Sequence, residues 1–362
     1  ASTSDSADFL QEALANFDVM LDDVESETSG SNPYTSSNED SGEIDRSCPM
    51  DAIQLSLALE GKKRINFLST RASQCVGTGD FEEALGILRD VLKIQKSKFG
   101  EMHSEVASAH HNIGIVHAKC AQNSSNVSDS RESNAFAMKE FRVAAHVARQ
   151  TKGEYHPSVA VSLARIGLIQ IQVESHIDAF VTFKECLRIR QRAFGKKHSL
   201  VGKIHNNLGV VYLSLEKFRE GLDAFESACM ILKRTIRKLD RGDLETIGDI
   251  ELDLADTLCN IGSAGLDWAE KKELSGERKL KLAKYAVVAF DEAILIRCRL
   301  LGNNNILIEE ARQLKTEAES CMETRSARPS SPDISVLQTI LPSACGGLQR
   351  ASSPIYQSPS GD

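Results

Sequence analysis

Three sets of side chains in this 362-residue chain could do chemistry: nine cysteines, nine histidines, and two serines that precede proline near the C-terminus. The cysteines are dispersed, with no close pair at metal-ligand spacing, and read as reduced structural thiols of an intracellular, cytoplasmic protein. Cys186 and Cys229 fall where helix packing wants a small hydrophobe. His110 and His111 are adjacent, so on a helix they diverge and share no metal ion. His103, His156 and His198 recur at one place in a repeating pattern, which reads as a structural role at a helix start. The sequence has no phosphate-cradling glycine loop, no nucleophile elbow and no two-Cys or two-His metal pair. It is therefore expected to be no enzyme, with no catalytic residue, no metal and no cofactor. Ser331 and Ser353 each have Pro after them and Arg three residues before, a pattern similar to proline-directed and basic-directed kinase sites. A phosphate there would add about -1.5 to -2 charges.

Charge divides the chain. The net charge is -8, yet residues 1–49 hold twelve Asp or Glu against the single Arg46, so the remainder is slightly positive. Within that acidic stretch Phe9, Leu10, Ala13, Leu14, Phe17, Met20, Leu21 and Val24 recur at helical spacing, an amphipathic segment suited to a groove. Residues 26–47 and the Ser/Pro-rich residues 324–362 have the composition of disordered tails. No cationic start followed by an apolar run marks a secretory signal, and no run reaches the roughly 18 apolar residues of a membrane span. No basic stripe interleaves with aromatics, so neither nucleic acid nor membrane is an expected partner.

The elements that must position the remaining polar residues are helical hairpins. Residues 204–233 place Leu208, Gly209 and Tyr212 on one stripe and Phe218, Leu222, Phe225 and Ala228 on another, with Ser214 to Lys217 too short for anything but a tight turn. The small residue of the first stripe recurs as Ala72, Gly114, Gly167, Gly209 and Gly262, and that of the second as Ala84, Ala137, Ala179, Gly221 and Ala286. Every step between copies is 42 residues, or 42 plus 11 or 23. Leu88, Phe141, Phe183, Phe225 and Phe290 follow four residues later, then Val91, Ala144, Cys186, Ala228 and Ala293. Five copies of one hairpin are present, and because none can bury both apolar faces alone, each must stack on the next. The extra residues near 122–132, 237–246 and 271–281 are expected as loops. Residues 50–59 are expected to cap the first hairpin, and residues 300–322 to form a closing helix.

The spacing from Leu208 and Gly209 through Tyr212, Gly221, Phe225 and Ala228 resembles the tetratricopeptide repeat. The period of 42, with Phe99-Gly100 before His103, Gly153 before His156 and Phe194-Gly195 before His198, is similar to the longer-helix variety of kinesin light chains. The resemblance implies an all-α, right-handed superhelical solenoid over residues 50–323, with about five repeats, capping helices and disordered tails. It also implies a concave groove lined by residues just before each Leu-Gly pair: Asn112, Arg165, Asn207 and Asn260, with His111, Lys119, Lys203 and Asn206 nearby. Asn offers donor and acceptor together, suited to a peptide backbone, while Arg165 suits a carboxylate. The implied function is a non-catalytic scaffold or adaptor binding peptide segments of other proteins. Alternatives are a chaperone cofactor gripping acidic C-terminal peptides and a regulatory subunit of an enzyme complex. The acidic N-terminal segment is an expected intramolecular occupant of the groove.

Overall fold

The computed structural model describes residues 61–239, 244–271 and 274–323. Among them are eleven α-helices and no strand: α1 (Gly61–Thr78), α2 (Phe81–Phe99), α3 (Ser104–Asn123), α4 (Val127–Lys152), α5 (Pro157–Gln172), α6 (His176–Phe194), α7 (Ser199–Ser214), α8 (Phe218–Lys238), α9 (Leu244–Glu270), α10 (Gly276–Leu301) and α11 (Ile306–Glu323). Each helix packs chiefly on its neighbours in sequence, so α1 to α10 form five antiparallel hairpins in one stack and α11 closes it. The readings of residues 1–49, of the cap at 50–59, and of the C-terminal stretch with Ser331 and Ser353 lie outside the described residues.

Local chemistry sets the helix ends. At the turns inside hairpins one, three and four, the chain makes the same pair of backbone bonds: Asp80 N–H to Cys75 O and Gly79 to Val76, Ser175 to Gln170 and Glu174 to Ile171, Lys217 to Tyr212 and Glu216 to Leu213. These close off orphan carbonyls and require a left-handed residue, which is Gly79 (φ +84) in the first copy but Glu174 (φ 60) and Glu216 (φ 56) in the others. The corners between hairpins use Gly100, Gly153 and Gly195, with φ between 81 and 98 and ψ between 160 and 172, a region essentially reserved for glycine. A histidine then opens the next helix. His103, His156 and His198 each accept the N–H two residues on at Nδ1, with His103 stacked on Phe99 at 4.5 Å and His198 on Phe194 at 4.7 Å.

Two loop expectations change. The 11 extra residues in hairpin two do not form a loop: α3 runs to Asn123, and α4 starts at Val127, where Asn126 Oδ1 accepts the Ser128 N–H. A good N-cap restarted the helix at once, so the insertion lengthens α4 to 26 residues. In hairpin five, Ser275 Oγ caps α10, and the helix takes in residues 276–281, expected as loop.

The interior is built on one repeated contact. A Cβ placed on Gly114, Gly167, Gly209 or Gly262 would stand 2.8, 2.6, 2.4 or 2.5 Å from the ring of Phe141, Phe183, Phe225 or Phe290. All four rings are fully buried. In hairpin one the small residue is Ala72 and its partner position holds Leu88, the smaller side chain leaving room for the methyl. Ala84, Ala137, Ala179 and Ala286 are fully buried, as are Cys186, Ala228 and Ala293 one to two turns further on. Cys186 lies on the Ala160 carbonyl at 3.2 Å, and burial pushes its thiol up to about 11.

The stack curves toward the first helices of the hairpins. Helix α7 touches both α5 and α9, and α9 touches α11, whereas the second helices α4, α6, α8 and α10 do not approach one another as closely. The first helices thereby lie on the inner side of the curve.

Candidate functional site: the concave line of first helices

The expected groove residues fall on α3, α5, α7 and α9, and the structure divides them into two groups. In the first group, Asn112 is half-buried on α3, Arg165 is buried on α5 and Asn207 is buried on α7 at 3% exposure. Asn207 Nδ2 has no acceptor among the described residues. A buried amide without a partner costs about 1–3 kcal/mol, and an incoming carbonyl is a ready acceptor for it. Lys119 is half-buried toward the end of α3.

The second group is engaged between helices. Asn260 on α9 donates to Asn206 Oδ1 on α7 at 3.0 Å. Lys203 on α7 pairs with Asp253 on α9 at 3.1 Å, both ends more than nine-tenths buried. Burial pushes the Asp253 carboxyl up to about 7, against the pull of Lys203. His111 on α3 reaches Ser162 on α5, with Nδ1 and Oγ 3.1 Å apart, and tilts against the Phe141 ring at 5.1 Å. Its burial, and then the Arg165 guanidinium, hold it down at about 3, so the ring is neutral at pH 7. These contacts tie α3 to α5 and α7 to α9. They take Lys203 out of the set of cations facing a ligand, because truncating either partner of a buried pair leaves an uncompensated charge.

Several polar residues that hold this line escaped the sequence reading. Asp253 and Ser162 are the partners just named. Arg190 and Arg297 stand at one place in the repeat, buried, and each donates from Nη1 to a carbonyl ten residues later, Leu200 O at 2.8 Å and Leu307 O at 2.7 Å. Arg297 also binds Asp256 at 2.6 Å, and His110 meets Glu140 at 2.5 Å, which draws the Glu140 carboxyl below its usual range. The signal for the arginines was present, since 190 and 297 differ by the same 107 residues as Ala179 and Ala286. Among the described residues, no group of His, Cys, Asp and Glu could hold a metal ion, and no helix is long and apolar enough to cross a membrane.

The architecture defines a helical-repeat scaffold. Residues 158–234, which span hairpins three and four, match the tetratricopeptide repeat family model, and the same Gly–Phe contact extends the unit to hairpins two and five. Hairpins three and four thus match the tetratricopeptide repeat, within a stack of five hairpins. Among solved structures it is similar to BtubC (BKLC) from P. vanneervenii, at 16% identity and TM-score 0.47, covering 86% of this chain and 94% of that one. It is also similar to the nearly identical TPR-like repeats of a candidate kinesin light chain from Podosopora anserina, at 14% identity and TM-score 0.46, covering 67% and 98%. A Rap protein complexed with competence and sporulation factor shows 14% identity and TM-score 0.42, covering 90% and 92%. A comparison with curated proteins finds no match.

Proposed function

We propose that this protein is a non-catalytic scaffold that holds an extended peptide segment of a partner protein along Asn112, Arg165 and Asn207. The observation that carries this reading is the Asn207 amide on α7, buried with Nδ2 lacking an acceptor among the described residues. Asn112 and Arg165 occupy the same place in the two preceding first helices, so a peptide running along the line meets one polar contact per repeat. The chaperone-cofactor alternative needs several groove cations, and it loses support because Lys203 is bound to Asp253.

A display library of random peptides selected on the full chain tests this. Selected peptides should bind about tenfold more weakly, or worse, to an Asn112→Ala/Asn207→Ser variant, roughly two hydrogen bonds at about 1 kcal/mol each. An Ile177→Ala variant on the outer face should bind as the parent does. Peptides that bind both variants and parent equally would overturn the assignment.

A further inference from the structure

We propose that the acidic N-terminal segment, residues 5–27, docks on a basic edge of the solenoid formed by the corner after α6 and the last turns of α8, outside the concave line. In an antiparallel hairpin stack, every second helix ends and every next first helix begins along one edge, while the turns inside the hairpins lie along the other. The first of these edges is strongly positive in its middle. Residues 187–197 include five Arg and Lys and no Asp or Glu, and residues 232–239, at the end of α8, include four and none, while the connection that follows, 240–243, holds two Asp against one Arg. Arg188 and Lys233 are engaged with Glu154 and Glu292, and Arg190 is buried. Lys196, Lys197, Arg234, Arg237 and Lys238 are exposed, and among the described residues none of the five is in an ion pair.

Helix-end electrostatics account for part of this pattern, since cations in a last turn are favoured by about 0.3–1 kcal/mol. They do not account for Lys196 and Lys197, which lie beyond the end of α6 in the corner. The corner after α6 and the last turns of α8, on consecutive hairpins, give five like charges along one edge, a field that attracts a polyanion.

The occupant follows from where the negative charge of this chain resides. Residues 1–45 contain twelve Asp and Glu and no Lys or Arg, whereas residues 50–362 carry a net charge of +3. The chain also enters the fold at the matching edge. Gly61, the first described residue, lies where a Cβ would be 3.9 Å from Lys98 Nζ near the end of α2. Between residue 27 and Gly61 run 33 residues, a length that spans up to about 110 Å when extended. The corner after α6 is two hairpins away, about 40 Å at roughly 10 Å per helix layer, so reach does not limit docking. The concave line is the poorer host for so acidic a segment: Lys203 is bound to Asp253, and α5 and α7 carry no Lys or Arg besides Arg165 and Lys203.

Zero-length carbodiimide crosslinking of the full chain, read by mass spectrometry, tests the proposal. Crosslinks are expected from acidic residues 5–27 to Lys196, Lys197 and Lys238. Their yield should fall about fivefold or more between roughly 0.05 M and 0.5 M salt, as the screening length contracts from above 10 Å to about 4 Å. The yield at Lys238 should fall similarly in a Lys196→Glu/Lys197→Glu variant, whose exposed positions leave the helical circular dichroism unchanged. Crosslinks to Lys119 or Lys203 instead would overturn the proposal in favour of the concave line. Crosslinks only between molecules in an isotope-labelled mixture would assign the edge to a second copy. No crosslink from residues 5–27 would remove the segment as occupant. None of these outcomes touches the peptide reading, which rests on Asn112 and Asn207.

Discussion

Adding one methyl group at Gly209 probes the contact on which the repeat is built. An Ala Cβ there would stand 2.4, 2.6 and 2.7 Å from three atoms of the Phe225 ring, and that ring is fully buried, so it has no open space to turn into. Overpacking costs about 1–3 kcal/mol, while Ala in a helix gains about 0.8–1.0 over Gly. With three contacts below 3.0 Å the upper end applies, and Gly209→Ala should lose about 2 kcal/mol net. Phe225→Leu alone should lose about 1.5 kcal/mol, since removing the whole ring costs about 3–5. Combined, the two restore the Ala72 and Leu88 arrangement of hairpin one, and the double variant should lose only about 1.5 kcal/mol, a coupling of about 2 against simple addition. Thermal unfolding of the full chain by circular dichroism reads this out. Gly209→Ala should melt about 4–8 °C lower, and the double variant about 3–6 °C lower in place of the roughly 7–14 °C of simple addition. A Gly209→Ala protein as stable as its parent, or a double variant losing the full sum, would refute the packing argument.

Glu174→Gly should stabilise the array by about 0.5–1 kcal/mol, because a left-handed Glu carries a steric cost that glycine escapes; a lower melting temperature would contradict it. Gly195→Ala should lose at least about 1 kcal/mol at its φ of 86 and ψ of 160, measured the same way. His111 is held down at about 3 from an ordinary 6.5, so its contribution to stability is full above about 6.5 and is lost as pH falls toward 3. His111→Gln should flatten the melting temperature over that window. Asp253 has the opposite sign. Its folded value near 7, against an ordinary 3.8, gives a contribution that is full below 3.8 and lost as pH rises through 7, and Asp253→Asn should remove that slope.

Much of the fold was legible because solenoid contacts are local and repeat. Gly209 and Phe225 could be paired from spacing alone, since their separation of 16 residues returns as Ala72–Leu88 and Gly167–Phe183, and grows to 27 and 28 only in hairpins two and five, which carry the insertions. Loop boundaries were not legible around Asn126, because a polar, Ser-rich stretch that reads as loop becomes helix once one good cap starts it. The groove was half legible. Position in the repeat placed Asn112, Arg165, Asn207 and Lys203 on first helices, but whether a polar side chain faces a ligand or a neighbouring helix depends on what stands one turn away on the next repeat. Lys203 is held by Asp253, which sits three residues before Lys203's own repeat equivalent, Asp256, so comparing like positions with like could not find it.

The imidazole caps carry a consequence for how this array ages in acid. His103, His156 and His198 hold three successive first helices by the lone pair of a ring nitrogen. A serine or asparagine cap keeps its oxygen at any pH, but a doubly protonated imidazole has no acceptor left, and a positive charge at a helix N-terminus opposes the helix dipole. Burial and Lys152 already favour the neutral ring at His156. Three joints of one design along one edge each rely on a proton being absent, making acid a hinge line for the stack. Hydrogen exchange at the amides of Glu105, Ser158 and Leu200 reports loosening of these joints directly: after correction for the intrinsic rate, protection should fall at all three as histidine protonates and stay constant at the Asn126-capped amide of Ser128.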